Sequence, residues 1–452
     1  MFLTNFLGLQ DLYGETREFL YKYVVLSVIG AIILNLTSTF YLLYIIDNVG
    51  FLQAGIIGGC LLFVQFIFDY PSGSLADKIG HRWVYALSIF SYGIALSILV
   101  FYNTFEGFIV FAFFQGFGTA QLSGVLESWV DNNYKVLTDQ KEDPERKIYG
   151  FFMNRLNSLT ITVTVISFII GGFIATSVSR QMAFAAQVFC MGFLILLILK
   201  LMKNHTLYNV SLIKDKKESY SSYFAGGIKF FLSSWRVFFF ILGISLVSIP
   251  WMIWGNLILF PLYFGYAGND MFTSVLRTII FIIGVVLQIF VFSKLSKKIS
   301  DKWQPYLLLG NACIYFTGII LILTFNPIGN SFNILGFVSI IFLQNGIMNM
   351  FMIMEGILRG RIMIDLVPSE FRNAIYSLIP TIYSIISVPV IVITGSLIES
   401  YGLIAGILMA QVFALLGGIF VLISHKLGLI SMIHKQKTII KISSENTNAV
   451  VS

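Results

Sequence analysis

Twelve apolar stretches, each about as long as a bilayer is thick, govern what this chain can fold into. A hydrocarbon core of ~30 Å takes about 20 residues of helix at 1.5 Å each. Stretches of that size fall at roughly 22–46, 52–70, 83–103, 107–130, 149–176 and 182–202, then at roughly 237–264, 272–293, 306–325, 332–357, 374–398 and 402–425. They are numbered helices 1 to 12 below. None shows the alternating polarity of a membrane-spanning strand. Only 11% of the 452 residues are charged, against about 25% in a soluble domain, so the lipid bilayer is the expected surroundings. The expected fold class is an all-α membrane protein.

The most polar stretch, about 203–236, divides the helices into two sets of six. The expected organisation is an N-terminal segment 1–21, a six-helix bundle 22–202, a linker 203–236, a second bundle 237–425 and a tail 426–452. Of the 29 Lys and Arg residues, 26 fall in the tails, the even-numbered loops and the linker. The odd-numbered loops hold only Arg180, while Asp47, Glu106, Asp270 and Glu399 mark their side. Basic loops stay in the cytoplasm, so both termini and the linker are expected there, with the protein in the cell membrane. A missed or invented span would scramble this alternation.

The net charge of +7 invites a nucleic-acid reading, but binding of that kind needs basic residues gathered on one soluble face. Here they are spread over short loops, and no nucleic-acid partner is expected. Cys60, Cys190 and Cys313 lie inside apolar stretches without metal-ligand spacing and read as small core residues. Residues 1–21 carry acids before a short apolar core, unlike a cleaved signal peptide.

The two halves repeat. Gly73–Trp83 (GSLADKIGHRW) aligns with Ser293–Trp303 (SKLSKKISDKW), matching Leu75 to Leu295, Lys78 to Lys298, Ile79 to Ile299 and Trp83 to Trp303. Near the same offset Asn35-Leu36 falls beside Asn256-Leu257, and Pro144–Tyr149 is similar to Pro368–Tyr376. Duplicated bundles related by an axis along the membrane normal are how many transporters are built.

The loop between helices 2 and 3, Gly73-Ser-Leu-Ala-Asp77-Lys78-Ile-Gly80-His81-Arg82, resembles the signature loop of the major facilitator superfamily. The resemblance implies two pseudo-symmetric six-helix bundles that alternate access to a central cavity. It also implies a gating role for Gly73, Asp77, Lys78, Gly80 and Arg82. Gly73 would let helix 2 approach helix 11, and Asp77 would sit at that helix's N-terminus, where an anion gains about 0.3–1 kcal/mol. The family usually has Arg where this chain has His81, so Arg82 would take over that link. The second copy is degenerate, with Lys297 where the acid would fall.

Asp69-x-Pro71-Ser72-Gly73 together with Ser123-Gly124-x-x-Glu127-x-Trp129 is similar to a less characterised branch of that superfamily. The resemblance gives no substrate. Proton-linked members often carry an Arg shortly before a Gln-Gly pair in helix 4; here Ala112 precedes Gln115-Gly116.

Charge at bilayer depth is costly and usually faces a cavity or a partner. Asp69, Glu127, Asp131 and Arg155 lie near the inner ends of helices 2, 4 and 5, and are expected to form one ion-pair cluster: a gate, a proton relay or a static bridge. Glu355 holds the comparable place in helix 10. Arg277 is expected to snorkel to the interface. By the family resemblance helices 1, 4, 7 and 10 line the cavity, which makes Asn35, Gln115, Gln121, Trp251, Trp254, Asn256, Gln344, Asn345 and Asn349 the candidates for contacting substrate. Buried amides serve helix packing equally well. Gly116, Ala120, Gly124 and Ser128 in helix 4 read as a small-residue seam. Pro250, Gly255 and Pro261 suggest that helix 7 bends.

The expected function is therefore secondary transport of a small, organic solute, with proton-coupled efflux as one form, by a monomer without cofactors. The chain has no nucleotide-binding Gly-x4-Gly-Lys-Ser/Thr loop. Its four His have no metal-binding spacing, and no nucleophile–base pair marks an enzyme, so no metal site and no catalytic residue is expected. Import of an inorganic anion such as molybdate, or a receptor or scaffold on the same fold, are the alternatives.

Overall fold

A computed structural model describes residues 2–12, 14–138, 143, 146–203, 228–229, 231–232, 234–287, 291, 295, 298–325, 333–343, 350–367 and 369–451. Most of the linker, and Gln344, Asn345 and Asn349, lie outside them. The described residues are helical apart from turns and short connections, with no strand among them. A short leading helix, Phe2–Leu7, comes first. Eleven helices among the described residues are long and apolar enough to cross a membrane, and with one further pass, described in two pieces, they are labelled α1 to α12.

The first pass, α1, runs Gly14–Asn35, passes through a distorted turn at 36–40, and resumes at Tyr41. The helical run Tyr41–Ile79 is bent at Gly50 (φ 79°, ψ 176°), where α1 gives way to α2. Then follow α3 (His81–Phe101), α4 (Phe105–Leu122 and Val125–Thr138), α5 (Lys147–Ser177) and α6 (Arg180–Leu201). The second half comprises α7 (Trp235–Ile253, a π turn Trp254–Ile258, and Leu259–Ala267), α8 (Asp270–Leu287) and α9 (Gln304–Phe325). It continues with α10 (described as Ile334–Phe342 and Met350–Leu366), α11 (Ser369–Tyr401) and α12 (Leu403–Val451).

Short polar residues set several of the starts. Thr104, Ser179, Ser234 and Asn333 each accept a hydrogen bond from the backbone N–H three residues on, satisfying a donor that the first turn leaves unpaired. The spans outrun the apolar stretches by a few residues at most ends. α1 begins at Gly14 rather than near 22, because its polar first turns still bury Thr16, Phe19 and Leu20. The molecule is apolar outside: Phe101, Phe189, Leu323 and Phe342 are more than two-thirds exposed, as a surface facing lipid requires.

Candidate functional site: a cavity closed at one end

The distorted turn in α1 frees backbone groups that a regular helix would pair, and lipid offers them nothing. Neighbouring helices supply the partners. Gln187 of α6 donates to the Ile33 carbonyl (2.7 Å) and accepts from the Thr37 hydroxyl (2.5 Å). Ser167 of α5 donates to Ile32 O. Asn35 donates to Ala31 O, and Ser38 donates to Asn35 O. The Leu36 carbonyl rests directly on Gly171 of α5, leaving no room for a Cβ.

Beside this turn lie two cavities of the first half. The larger, about 370 Å³, sits between the termini-side portions of α1, α4 and α5, with Tyr85 from α3. Leucines and Met153 form its apolar wall, while Ser27, Asn157, Thr160 and Glu127 give it polarity. The smaller, about 60 Å³, lies deeper and includes Thr37, Ser38, Gln115 and Gln187. Leu34 lines both.

On the far face, opposite the termini, the two halves are joined. Arg180, at the start of α6, donates through Nε and Nη2 to both carboxylate oxygens of Asp270 at the start of α8 (2.8 and 2.9 Å). Its Nη1 reaches Asp47 at the end of α1 (2.6 Å). Glu399 of α11 accepts from the Leu52 backbone N–H (2.7 Å) just past the Gly50 bend. Below these, Thr176 Oγ1 accepts from Met271 N, Thr39 and Ser274 share a hydroxyl hydrogen bond (2.8 Å), and Phe168 meets Phe281 edge-on. Gly55 and Gly395 let α2 and α11 touch backbone to backbone.

The expected charge cluster is dispersed. Asp131 pairs with Lys135 (2.6 Å) and Arg146. Arg155 instead stacks on Phe6 and Phe151 (5.3 and 5.1 Å), because α5 turns it towards the leading helix. Asp69 lies beside Ser123 of α4, and Glu127 lines the larger cavity with no ion-pair partner among the described residues. In the second half Gln304 donates to Glu355 (3.3 Å), with Arg359 at 3.9 Å. Outside the membrane, Tyr134 Oη and Tyr149 N both donate to Asp143 (2.9 Å each), capping α5.

Of the loop motif, Gly80 (φ 93°) ends α2, and Arg82 lies 5.0 Å over the Trp83 ring. Gly73, Asp77 and Lys78 fall in the last turns of α2, but their side-chain environment lies outside the described residues. The Ser123-Gly124 pair is a break: Gly124 has φ 69°, a region that costs other residues about 1–2 kcal/mol. It therefore leaves the small-residue seam, whereas Gly116 sits against the α2 backbone at Leu61.

Among the cavity candidates, Gln115 lines the smaller cavity, Gln121 is buried, and the side-chain oxygen of each lacks a hydrogen bond. Asn35 lies at the α1 turn and Asn256 in the π turn, donating to Met252 O. Trp254 opens that turn, fully buried and edge-on to Tyr315, while Trp251 is half-buried. Where helix 7 is expected to bend, the structure has this π turn, an insertion that recurs at functional sites. Arg277 does not snorkel; its guanidinium lies over the Phe281 and Phe260 rings. The far-face contacts were the residues that sequence reasoning passed over. Their signal was a lone arginine among acids.

Two six-helix halves, closed together at one face around broken helices, define a helical membrane transporter. The Major Facilitator Superfamily profile matches residues 23–385, and the chain belongs to that family. Among solved structures, the nucleoside transporter NupG superposes with a TM-score of 0.66 at 13% identity, covering 90% of this chain and 98% of that one. An auto-inhibited POT family peptide transporter gives 0.64 at 10% (90% and 97% covered), and a D-xylose–proton symporter 0.62 at 12% (89% and 97%). At such identities the likeness is one of fold. No curated protein matches the sequence.

Proposed function

We propose that this chain is a monomeric secondary transporter of a small organic solute, working by alternating access in the cell membrane. On this reading both termini and the linker 203–236 lie in the cytoplasm, as the loop charges require, and the solute moves outward against protons. One observation carries it. Arg180 with Asp270, and Glu399 with the Leu52 backbone, hold the halves together at the far face, while the cavity around Glu127 lies at the other end. Halves joined at one face, with a hollow in the first half towards the other, suit one of the two states that alternation needs.

Glu127 is the coupling carboxylate in this scheme. It stands in the cavity with no ion-pair partner among the described residues, so a proton can reach it once the solute leaves. Asp77 would latch the opposite face in the alternate state, as its motif implies.

Spin labels at Thr176 and Met271, across the far-face seam, test the alternation without knowledge of the solute. The expected result is a short distance joined by a second, longer population that changes with pH. One short distance under all conditions would overturn the proposal.

A further inference from the structure

α8 presents Phe272, Ile282 and Val286 to lipid, each nearly half exposed. At about 100° per residue, Arg277 lies on the opposite side of that helix, on the face that carries Ser274 and Phe281 against α5. At 1.5 Å per residue it stands about 10 Å below the far end of α8. Its guanidinium carbon is 4.6 Å from the Phe281 ring centre and 5.8 Å from that of Phe260. The Tyr263 hydroxyl of α7 adjoins it.

A cation at such depth is costly by about 2.5–3.5 kcal/mol on insertion scales, and ordinarily has an anion beside it. Among the described residues of the neighbouring α5, α7 and α8, no free one is found. α5 and α7 contain no Asp or Glu, and α8 has only Asp270, whose two oxygens are both taken by Arg180. Arg277 Nε and the Tyr263 hydroxyl are both buried without a well-formed hydrogen bond. The two groups therefore adjoin each other with no carboxylate beside them among the described residues, and a fixed guanidinium fork suits a planar, bidentate acceptor.

We propose that Arg277 and Tyr263 form a carboxylate-binding site. The inference rests on the transporter reading and deepens it: the solute is a small organic monoanion. Its carboxylate accepts from the guanidinium and the phenol, and its apolar body lies along the aromatic wall of α7. A dianion such as phosphate would call for a second cation. α7 and α8 supply no other nearby: the one further basic residue in these spans, Arg236, is at the opposite end of α7.

The test uses the full-length protein in lipid nanodiscs and measures affinity for acetate, benzoate and 3-phenylpropionate beside their neutral amides. At least one carboxylate should bind ten-fold or more tightly than its amide. Arg277→Gln should abolish that preference, Arg277→Lys should retain part of it, and Tyr263→Phe should weaken binding several-fold without lowering Tm. Equal binding of acid and amide, or no binding of either, overturns the site. So does a preference unchanged in Arg277→Gln, which would leave Arg277 a clamp on Phe260 and Phe281. If Arg277→Gln fails to fold, the acid–amide comparison and Tyr263→Phe decide. Alternation of the spin labels without acid preference would refute this site and leave the transporter standing.

Discussion

The backbone carbonyl of Leu36 occupies the space where a side chain on Gly171 would begin. The obstacle is main chain, which cannot rotate away, so Gly171→Ala must push α1 and α5 apart. Overpacking of this kind destabilises by about 1–3 kcal/mol. The variant should show a clearly lower Tm in detergent, while Gly192→Ala, where nothing lies within 4 Å, should match the wild type. An unchanged Tm for Gly171→Ala would mean that α1 is not broken against α5.

Arg180 and Asp270 form a two-pronged pair between the halves, with both side chains largely shielded (14% and 10% exposed). Removing one partner of a shielded pair leaves the other uncompensated, at about 3–5 kcal/mol when burial is complete. Asp270→Asn should therefore shift the Thr176–Met271 label distances towards the open population. The exchange Arg180→Asp with Asp270→Arg should restore part of the closed one. No shift in Asp270→Asn would remove the pair from the closure.

Asp143 supplies a pH-dependent element outside the membrane. Burial acts to raise its carboxyl, but the backbone N–H groups of Tyr149, Ile148 and Lys147 and the Tyr134 hydroxyl outweigh that and hold it below the usual carboxylate range. Its stabilising contribution is thus complete above about pH 4 and is lost as pH falls through its own lower value. Asp143→Ala should lower stability by about 0.5–2 kcal/mol at neutral pH, as caps do. The Tm gap to wild type should narrow steadily in acid. A gap that stays constant from pH 7 to pH 3 would contradict the assignment.

Gln187 satisfies two groups of the α1 turn at once, Thr37 Oγ1 and Ile33 O. Gln187→Leu keeps the volume, removes the partner of the Thr37 hydroxyl and leaves Ile33 O only its long bond from Leu36 N (3.4 Å), at about 1–3 kcal/mol for a buried unpaired group. Hydrogen exchange of the Leu36–Tyr41 amides should quicken in this variant more than elsewhere. Uniform or absent change would show that the turn does not depend on α6.

The spans were legible because a bilayer imposes one rule on every crossing, and an apolar run records it directly. The family was legible from Gly73 to Arg82, where spacing alone distinguishes the loop. The breaks were not. The run Thr37-Ser38-Thr39 is the one local hint, since short hydroxyl side chains compete for backbone hydrogen bonds, but an apolar span hides it, and the turn is held from outside by Gln187, Ser167 and Gly171. Gly124 looked like packing because its neighbours Gly116 and Ala120 are packing; only its backbone angle separates it. In the sequence Asp47, Asp270 and Glu399 only mark a membrane face. Sequence gives the sidedness of such acids, whereas their meeting with Arg180 and Leu52 depends on how the two bundles lean together. The proposed cluster of Asp69, Glu127, Asp131 and Arg155 failed for the converse reason, since closeness along neighbouring helices does not fix rotation about their axes.

Thr39 belongs to the distorted turn of α1, yet its hydroxyl bond is to Ser274 in the other half. One strand of backbone therefore serves two masters: below the turn it walls the hollow, and above it is fastened to the opposite lobe. Parting the lobes must either break that fastening or draw Tyr41–Val49 along, and the slack to do so lies in the irregular residues between. The first lobe is thus jointed within itself, at the same turn whose Ser38 borders the smaller hollow.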